Sequence, residues 1–160
     1  MEMPVFTIRG KNHRERGVDY GVQCKELIQG VLERYIRFFN GGHTAVSWDE
    51  AKVISKEFLP FIRSYSPELL DELEGIAQGA DVEFADLLTL NSRSEAMTLV
   101  RRPPSDKEEL DGCSSVAVLP DASANGHTIL AQNWDTYTWQ EYGTVILQIL
   151  RDDGPDLMIV

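Results

Sequence analysis

The chain has 160 residues, of which 42% are hydrophobic, and it carries a formal net charge of −11. This length suffices for one globular domain with a sizeable core, while the acidic surface and the lack of a basic stripe argue against a nucleic-acid partner. The N-terminus has no secretory-signal pattern, and no uncharged run approaches the roughly 20 residues of a membrane span, so we expect a cytoplasmic protein with no membrane partner.

The first long pattern in the chain predicts a helix running to Phe38. Its apolar positions recur at spacings of three and four, which places them on one helical face. They are Tyr20, Cys24, Leu27, Val31, Tyr35 and Phe38. Cys24 lies within this stripe and is interpreted as a core thiol, and the sequence Asn40-Gly41-Gly42 predicts a loop after the helix.

A second helix is predicted to begin at Ser47. Ser47 and Glu50 have the spacing of a capping box, in which each side chain binds the other residue's main-chain N–H. The pattern continues toward Phe61, and Pro60 falls near its end.

Two further helices precede a polar linker. Ser66-Pro67 is an N-cap followed by proline, and it opens a helix for which Gly79 is the predicted stop. Residues 82–90 predict a short helix leading into "NSRSE". The stretch "RRPPSDKEELDG", residues 101–112, is interpreted as a surface linker.

After residue 112 the pattern changes from helical to strand-like. "SSVAVLP" and "HTILAQNW" flank Asn125-Gly126, which predicts a first hairpin, and "TVILQILR" and "DLMIV" flank Asp153-Gly154-Pro155, which predicts a second. Two hairpins alone would leave a sheet edge open, and the sequence stops at Val160 within an apolar run. We therefore expect the N-terminal part of a longer protein; the alternative is that Val160 ends a tethered last strand.

The two cysteines differ in their surroundings. With no CxxC pair and only three histidines, the sequence predicts no metal site and no cofactor, and both thiols are expected to be reduced. Cys113 follows Gly112 after the linker, so its thiolate could attack the preceding peptide carbonyl in an N→S acyl shift. The freed α-amino group, with an ordinary pKa of about 7.7–8.0, could then act as the base for its own thiol.

Four stretches in order along the chain resemble one enzyme family. "RERGVDYG", "LNSRSE", "DGCSS" and "ILAQNWD" resemble segments of the acyl-coenzyme A:6-aminopenicillanic acid acyltransferase family, the C45 branch of the N-terminal nucleophile hydrolases. The resemblance implies an α+β fold, a four-layer αββα sandwich of which only the helical part and first strands are present. It also implies autocatalytic cleavage that separates residues 1–112 from residues 113–160, the start of the second chain.

The resemblance also implies roles for individual residues. Cys113 corresponds to the nucleophile, Gly112 to the residue before the cut, and Asp135 to the aspartate that orients the nucleophile's amine in related enzymes. Gln132 stands where choloylglycine hydrolases have an arginine, which weakens any bile-salt-like interpretation. Asn133 is either a polar wall of the pocket or a turn-capping amide.

Other residues of these stretches have a supporting role or none. Trp134 is expected to pack in the core. Arg93 and Glu95 could pair and brace the processing region, although an exposed ion pair is an equally good account. The family's oxyanion-hole asparagine and its later arginine would lie beyond the strands present.

The predicted function is amide hydrolysis or acyl transfer through a thioester on Cys113. The substrate would be a small N-acyl compound, with acyl-coenzyme A as one candidate, and the partners would be the remainder of the chain and, if it oligomerises, further copies. Two alternatives stay open. The chain could be an inactive helical interaction module in which Cys113 only packs, or a cysteine protease whose base, His127, lies beside Cys113.

Overall fold

The computed structural model describes residues 3–100, 112–152 and 154–160, which form helices and short strands. The elements in chain order are β1 (Val5–Ile8), α1 (His13–Gln23), α2 (Lys25–Phe38), α3 (Trp48–Lys56), α4 (Leu59–Tyr65), α5 (Pro67–Ala80), α6 (Phe84–Asn91), α7 (Arg93–Val100), β2 (Ser114–Val118), β3 (Ile129–Asn133), β4 (Ile146–Ile149) and β5 (Leu157–Ile159). This confirms the α+β class, whereas the αββα sandwich stays a prediction. No described helix is both long and apolar enough to cross a lipid bilayer.

The chain divides into two compact units. The first comprises Met1–Arg102 and Tyr142–Val160, and the second comprises Pro103–Glu141. Helices α1 to α7 and the sheet of β1, β4 and β5 belong to the first unit, and the hairpin of β2 and β3 belongs to the second. The predicted division after residue 112 concerns covalent cleavage and stays a prediction.

The predicted long helix is in fact two helices that meet at Cys24. Cys24 has φ −106° and ψ 15°, outside the helical region, so the regular advance of side chains around the axis is interrupted there. Three positions of the predicted buried stripe are consequently displaced by one residue. Ile28, Leu32 and Phe39 are buried in place of Leu27, Val31 and Phe38. The buried members of the stripe are Cys24, Ile28, Leu32, Tyr35 and Phe39.

Helices α1 and α5 pack in parallel through glycines. A Cβ atom placed on Gly17 would lie 2.1 Å from the carbonyl oxygen of Glu72, and one on Gly75 would lie 2.3 Å from that of Arg14. Gly21 and Gly79 approach the partner helix in the same way, with corresponding distances of 2.4 and 2.3 Å. The two backbones touch directly because these four residues have no side chains.

The predicted helix starts are confirmed more often than the predicted ends. Ser47 and Glu50 form the predicted capping box, but that helix ends at Lys56, and Pro60 lies in the first turn of α4, where a missing N–H costs little. The predicted loop at residues 40–42 is an irregular turn, Phe39–His43, in which Gly42 has φ +79°.

The predicted stop at Gly79 is wrong. Helix α5 begins after Ser66 with Pro67 in its first turn, as expected, and continues to Ala80. It ends at Asp81, whose φ of 57° and ψ of 52° are left-handed. Gly79 is a packing residue, since a side chain there would meet the main chain of α1.

Strand β1 has no counterpart among the predicted elements. It pairs in parallel with β4, from Val5 opposite Ile146 to Ile8 opposite Ile149, and β4 pairs antiparallel with β5. The predicted second hairpin is therefore confirmed, and its β4 strand also holds the N-terminal strand. Ile8 and Ile149 are both buried, so this end of the sheet joins the core.

The first predicted hairpin is also confirmed. Strands β2 and β3 pair antiparallel, with Ser114 opposite Asn133 and Val118 opposite Ile129. Gly126 in the connecting turn has φ +70°, a conformation that glycine adopts without strain. Of the predicted linker, residues 101–112, all but Gly112 lie outside the described residues.

Candidate active site

The predicted catalytic segment lies at the open end of the β2/β3 hairpin. Cys113 immediately precedes β2, while Trp134 and Asp135 immediately follow β3. Because Ser114 and Asn133 form the last pair of the ladder, antiparallel register brings the residues just outside that pair together. Two stretches separated by about twenty residues thus meet at one point.

The Cys113 thiol is exposed and directed across the hairpin. Its Sγ atom lies 3.8 Å from the main-chain oxygen of Asp135, to which the thiol donates. The structure therefore places the predicted nucleophile against the residue predicted to orient it. The contact uses the main chain of Asp135, so the carboxylate is left for other donors.

The Asp135 carboxylate accepts a hydrogen bond from a neighbouring side chain. Asn133 Nδ2 donates a hydrogen bond of 2.8 Å to Asp135 Oδ1. Sequence reasoning missed this bond, although the Asn-x-Asp spacing at a strand end could have signalled it, since side chains two positions apart along a strand share a face.

His127 is not a neighbour of Cys113, so that prediction is wrong. His127 precedes β3 at the turn end of the hairpin, where its main-chain N–H donates to Asn125 Oδ1 at 3.2 Å. Cys113 lies beyond the opposite end of the ladder, at least four residue steps away, or about 13 Å at 3.3 Å per residue. His127 is therefore not placed to act as the imidazole base of a conventional cysteine protease.

The remaining predicted residues of the hairpin are exposed. Gln132 lies opposite Ser115, on the face of the hairpin opposite to that of Asn133. Trp134 is 49% exposed, so the expectation of core packing is not met in the described chain. Gly112 is exposed directly beside Cys113, with no side chain to hinder approach to the peptide bond between them.

Within the described residues, Arg93 contacts groups other than the Glu95 carboxylate. Arg93 donates a hydrogen bond of 2.7 Å from Nη1 to the carbonyl oxygen of Leu90, and its guanidinium lies over the ring of Tyr35, 4.9 Å from the ring centroid. Both residues are on α7, where positions two apart point in different directions. Arg93 therefore anchors the start of α7 to α2, and bracing of the processing region stays a prediction.

Cys24 provides an internal contrast to Cys113. It is 2% exposed, which confirms that it is a core thiol. Burial, together with the nearby Asp19 carboxylate, raises the pKa of the Cys24 thiol from 9.0 to about 11. A thiol that stays protonated inside the core is a poor nucleophile near neutral pH, so exposure separates the two cysteines chemically.

Both cysteines are free, as predicted. Among the described residues, no group of three or more His, Cys, Asp or Glu side chains is arranged to hold a metal ion. The chemistry available at the hairpin end is that of an exposed thiol against the main chain of Asp135, a residue whose carboxylate is held by Asn133. Such a pair suits covalent attack on a carbonyl group, with the carboxylate orienting a cationic or hydrogen-bonding group near the sulfur.

No family model matches the chain, but two enzymes are among the known proteins to which it is similar. The chain is 28% identical over 158 residues to the beta-alanyl-dopamine/carcinine hydrolase of Drosophila melanogaster, which covers 94% of the chain and 38% of that enzyme. It is also 28% identical over 147 residues to the 40 kDa form of acyl-coenzyme A:6-aminopenicillanic-acid-acyltransferase of Emericella nidulans, covering 89% of the chain and 38% of that protein. The chain thus spans 38% of the length of each relative, and the resemblance seen in the sequence motifs is confirmed.

Proposed function

Given its relationship to the acyl-coenzyme A:6-aminopenicillanic acid acyltransferase family, we propose that this chain carries the nucleophile of an N-terminal cysteine amidohydrolase or acyltransferase. The observation that carries the proposal is the exposed Cys113 thiol, held against Asp135 at the end of the hairpin. The two relatives support it because they are named as a hydrolase and an acyltransferase.

The first step of the proposal is self-processing at the Gly112–Cys113 bond. The Cys113 sulfur attacks the Gly112 carbonyl carbon, the C–N bond breaks, and the nitrogen takes up the thiol proton. Water then hydrolyses the resulting thioester, which releases a carboxylate on Gly112 and restores the thiol. Residues 1–112 and the chain beginning at Cys113 become separate polypeptides in one αββα fold.

The second step uses the new N-terminus. The free α-amino group of Cys113 accepts the thiol proton, since an α-amine with an ordinary pKa of about 7.7–8.0 is partly unprotonated near neutral pH. The thiolate attacks the acyl carbonyl of the substrate, the amine leaves with a proton, and the acyl group remains on sulfur as a thioester. Water completes a hydrolysis and an acceptor amine completes a transfer.

Asp135 has a positioning role in this scheme. A carboxylate beside the α-amine fixes its orientation by a hydrogen bond and also favours its protonated form. Positioning is therefore the larger part of the contribution. The Asp135→Asn variant keeps nearly the same shape, so it should retain the fold and slow processing, turnover or both. Wild-type rates in a folded Asp135→Asn protein would reduce Asp135 to a strand-end residue.

The substrate class follows from the same premise. One relative is named as a beta-alanyl-dopamine/carcinine hydrolase, and the other as an acyltransferase of acyl-coenzyme A and 6-aminopenicillanic acid. Both names refer to small compounds. We propose small N-acyl amines as substrates, with acyl-coenzyme A as an alternative donor. Turnover of casein without turnover of N-acyl amines would contradict this assignment.

The deciding experiment is mass spectrometry of the full-length protein. It should yield one polypeptide ending at Gly112 and another beginning at Cys113, while Cys113→Ala should remain a single chain. A full-length protein that is active but uncut would refute self-processing. Cleavage of Cys113→Ala at the same bond would assign the cut to a separate protease.

A further inference from the structure

The side chain of Asn133 acts on a carboxylate rather than on the main chain. Its main chain belongs to the last pair of the β2/β3 ladder, opposite Ser114. Its amide Nδ2 donates to Asp135 Oδ1 at 2.8 Å. A turn-capping amide would instead bind a main-chain group, as Asn125 does by accepting the His127 N–H. The two asparagines of this hairpin therefore have different tasks.

We propose that Asn133 is a positioning residue that fixes the Asp135 carboxylate in the orientation that receives the α-amino group of Cys113. The inference rests on the proposed function, in which Asp135 orients that amine after the cut. It assigns to Asn133 no contact with substrate.

The chemistry of the donor suits this task. A carboxylate can accept about four hydrogen bonds, so a single bond to Oδ1 leaves Oδ2 and further lone pairs available. An uncharged amide also holds the carboxylate without neutralising it, as a lysine or arginine would do. The carboxylate thus keeps the negative charge that would attract a protonated amine.

The exposure of Asp135 makes such a tether necessary. Asp135 lies beyond the end of β3 and is exposed, so packing does not restrict its side-chain torsions. Without the Asn133 bond the carboxylate would sample several rotamers, only some of which face Cys113. A reactive group whose orientation is fixed by a supporting hydrogen bond spends a larger fraction of the time in the productive orientation.

The test follows the first turnover of full-length, processed protein with p-nitrophenyl acetate. The thiolate attacks the ester carbonyl, p-nitrophenolate leaves with the bonding electron pair, and the acetyl group stays on sulfur as a thioester. The burst amplitude counts competent molecules, while the burst rate reports the orientation of the reacting groups. Asn133→Ala should lower the burst rate roughly 10- to 150-fold, the range of a lost hydrogen bond to a charged group, and leave the amplitude unchanged.

Two further variants sharpen the result. Asn133→Asp is nearly isosteric but places a second negative charge beside Asp135, so its burst should be slower than that of Asn133→Ala. Asn125→Ala is the matched control, because it removes an asparagine from the turn end of the same hairpin. It should keep the wild-type burst rate.

The outcomes separate this inference from the proposed function. A wild-type burst that survives Cys113→Ala would overturn the proposed function and the inference with it. A Cys113-dependent burst whose rate is unchanged in Asn133→Ala would overturn the inference alone. Equal slowing in Asn125→Ala would do the same, because the effect would then be hairpin stability. If both Asn133 variants fold but stay uncut, the positioning role after cleavage is also overturned.

Discussion

Replacing Gly17 by alanine should destabilise the protein, although alanine is the better helix former. The added Cβ atom would lie 2.1 Å from the carbonyl oxygen of Glu72 and 3.0 Å from the nitrogen of Ile76. Carbon and oxygen atoms in contact ordinarily stay about 3.3 Å or more apart. The α1 and α5 backbones would therefore have to separate by about 1 Å.

The magnitude is a difference between two opposing effects. Alanine in a helix interior is favoured over glycine by about 1 kcal/mol. Overpacking of a close-packed site costs about 1–3 kcal/mol, and the upper part of that range applies because the obstructing atom belongs to a helix backbone and cannot rotate away. The free energy of unfolding should fall by about 1–2 kcal/mol, which corresponds to a midpoint about 2–8 °C lower for a chain of this size.

Urea unfolding followed by circular dichroism measures this change. Val22→Ala is the matched control, since Val22 is on the same helix and is 60% exposed, and exposed substitutions usually change stability by less than about 0.5 kcal/mol. The free energy of unfolding would be compared for both variants and the wild type. A Gly17→Ala protein as stable as the wild type, or more so, would refute the direct contact between α1 and α5.

Three other measurements follow from the described contacts. Near pH 8, native protein should react with a thiol reagent at Cys113 only, whereas unfolding should add a second thiol, because burial raises the pKa of Cys24 to about 11. Since that pKa is raised from 9.0, stability is fully present below pH 9 and is lost by up to about 1.4 kcal/mol per pH unit as the pH rises toward 11. Cys24→Ala should flatten this slope, although Tyr20, whose pKa burial raises from 10.0 to about 12, will preserve part of it. Ser47→Ala should lower the free energy of unfolding by about 1 kcal/mol, because it removes the capping box with Glu50.

Each of these expectations has a contradicting result. Two reactive thiols in the native state, or none, would contradict the assignment of one exposed and one buried cysteine; none would also favour a merely structural Cys113. An alkaline slope that Cys113→Ala flattens as much as Cys24→Ala does would remove the core thiol as its cause. Unchanged stability in Ser47→Ala, with a helical content equal to that of the wild type, would show that α3 does not depend on its cap.

Local signals in the sequence predicted local structure well. Ser47 and Glu50 specify a helix start through hydrogen bonds made within four residues, and Asn125-Gly126 specifies a chain reversal in the same way. Strand β1 could not be recognised because it is four residues long and its partner, β4, lies far along the chain. Its stability comes from that distant pairing and not from its own pattern.

The other differences between the predicted and the observed helices have two causes: a break in the helical period and contacts between helices that are distant in sequence. The break at Cys24 moves the buried face of α2 by one residue, which a constant helical period cannot anticipate. Gly79 looks like a helix stop by composition, but its contact with α1 depends on a helix some sixty residues earlier. The repeated Gly-x-x-x-Gly spacing, at residues 17–21 and 75–79, was the available signal for that contact.

The candidate site was predictable in its members and less so in its geometry. Cys113 and Asp135 were identified from motifs that resemble those of the family, and the register of the hairpin explains why the two residues meet. The Asn-x-Asp spacing allows a bond between Asn133 and Asp135, but the side-chain rotamers at the strand end decide whether it forms. The contact of the Arg93 guanidinium with the ring of Tyr35 likewise depends on where the tertiary fold places the start of α7, which local sequence patterns do not determine.

The pairing of β1 with β4 crosses the proposed cleavage point. Ile146 donates a main-chain hydrogen bond of 2.9 Å to Pro4, Leu150 donates one of 3.0 Å to Ile8, and the guanidinium of Arg34 lies 3.6 Å from the centroid of the Tyr142 ring. A cut after residue 112 would turn these contacts into bonds between two molecules. Unfolding would then be a dissociation, so the midpoint should rise with protein concentration in the cut protein and be independent of it in Cys113→Ala. Such a cut would thus replace a unimolecular folding equilibrium with a bimolecular one, so refolding of the cut protein should slow as it is diluted.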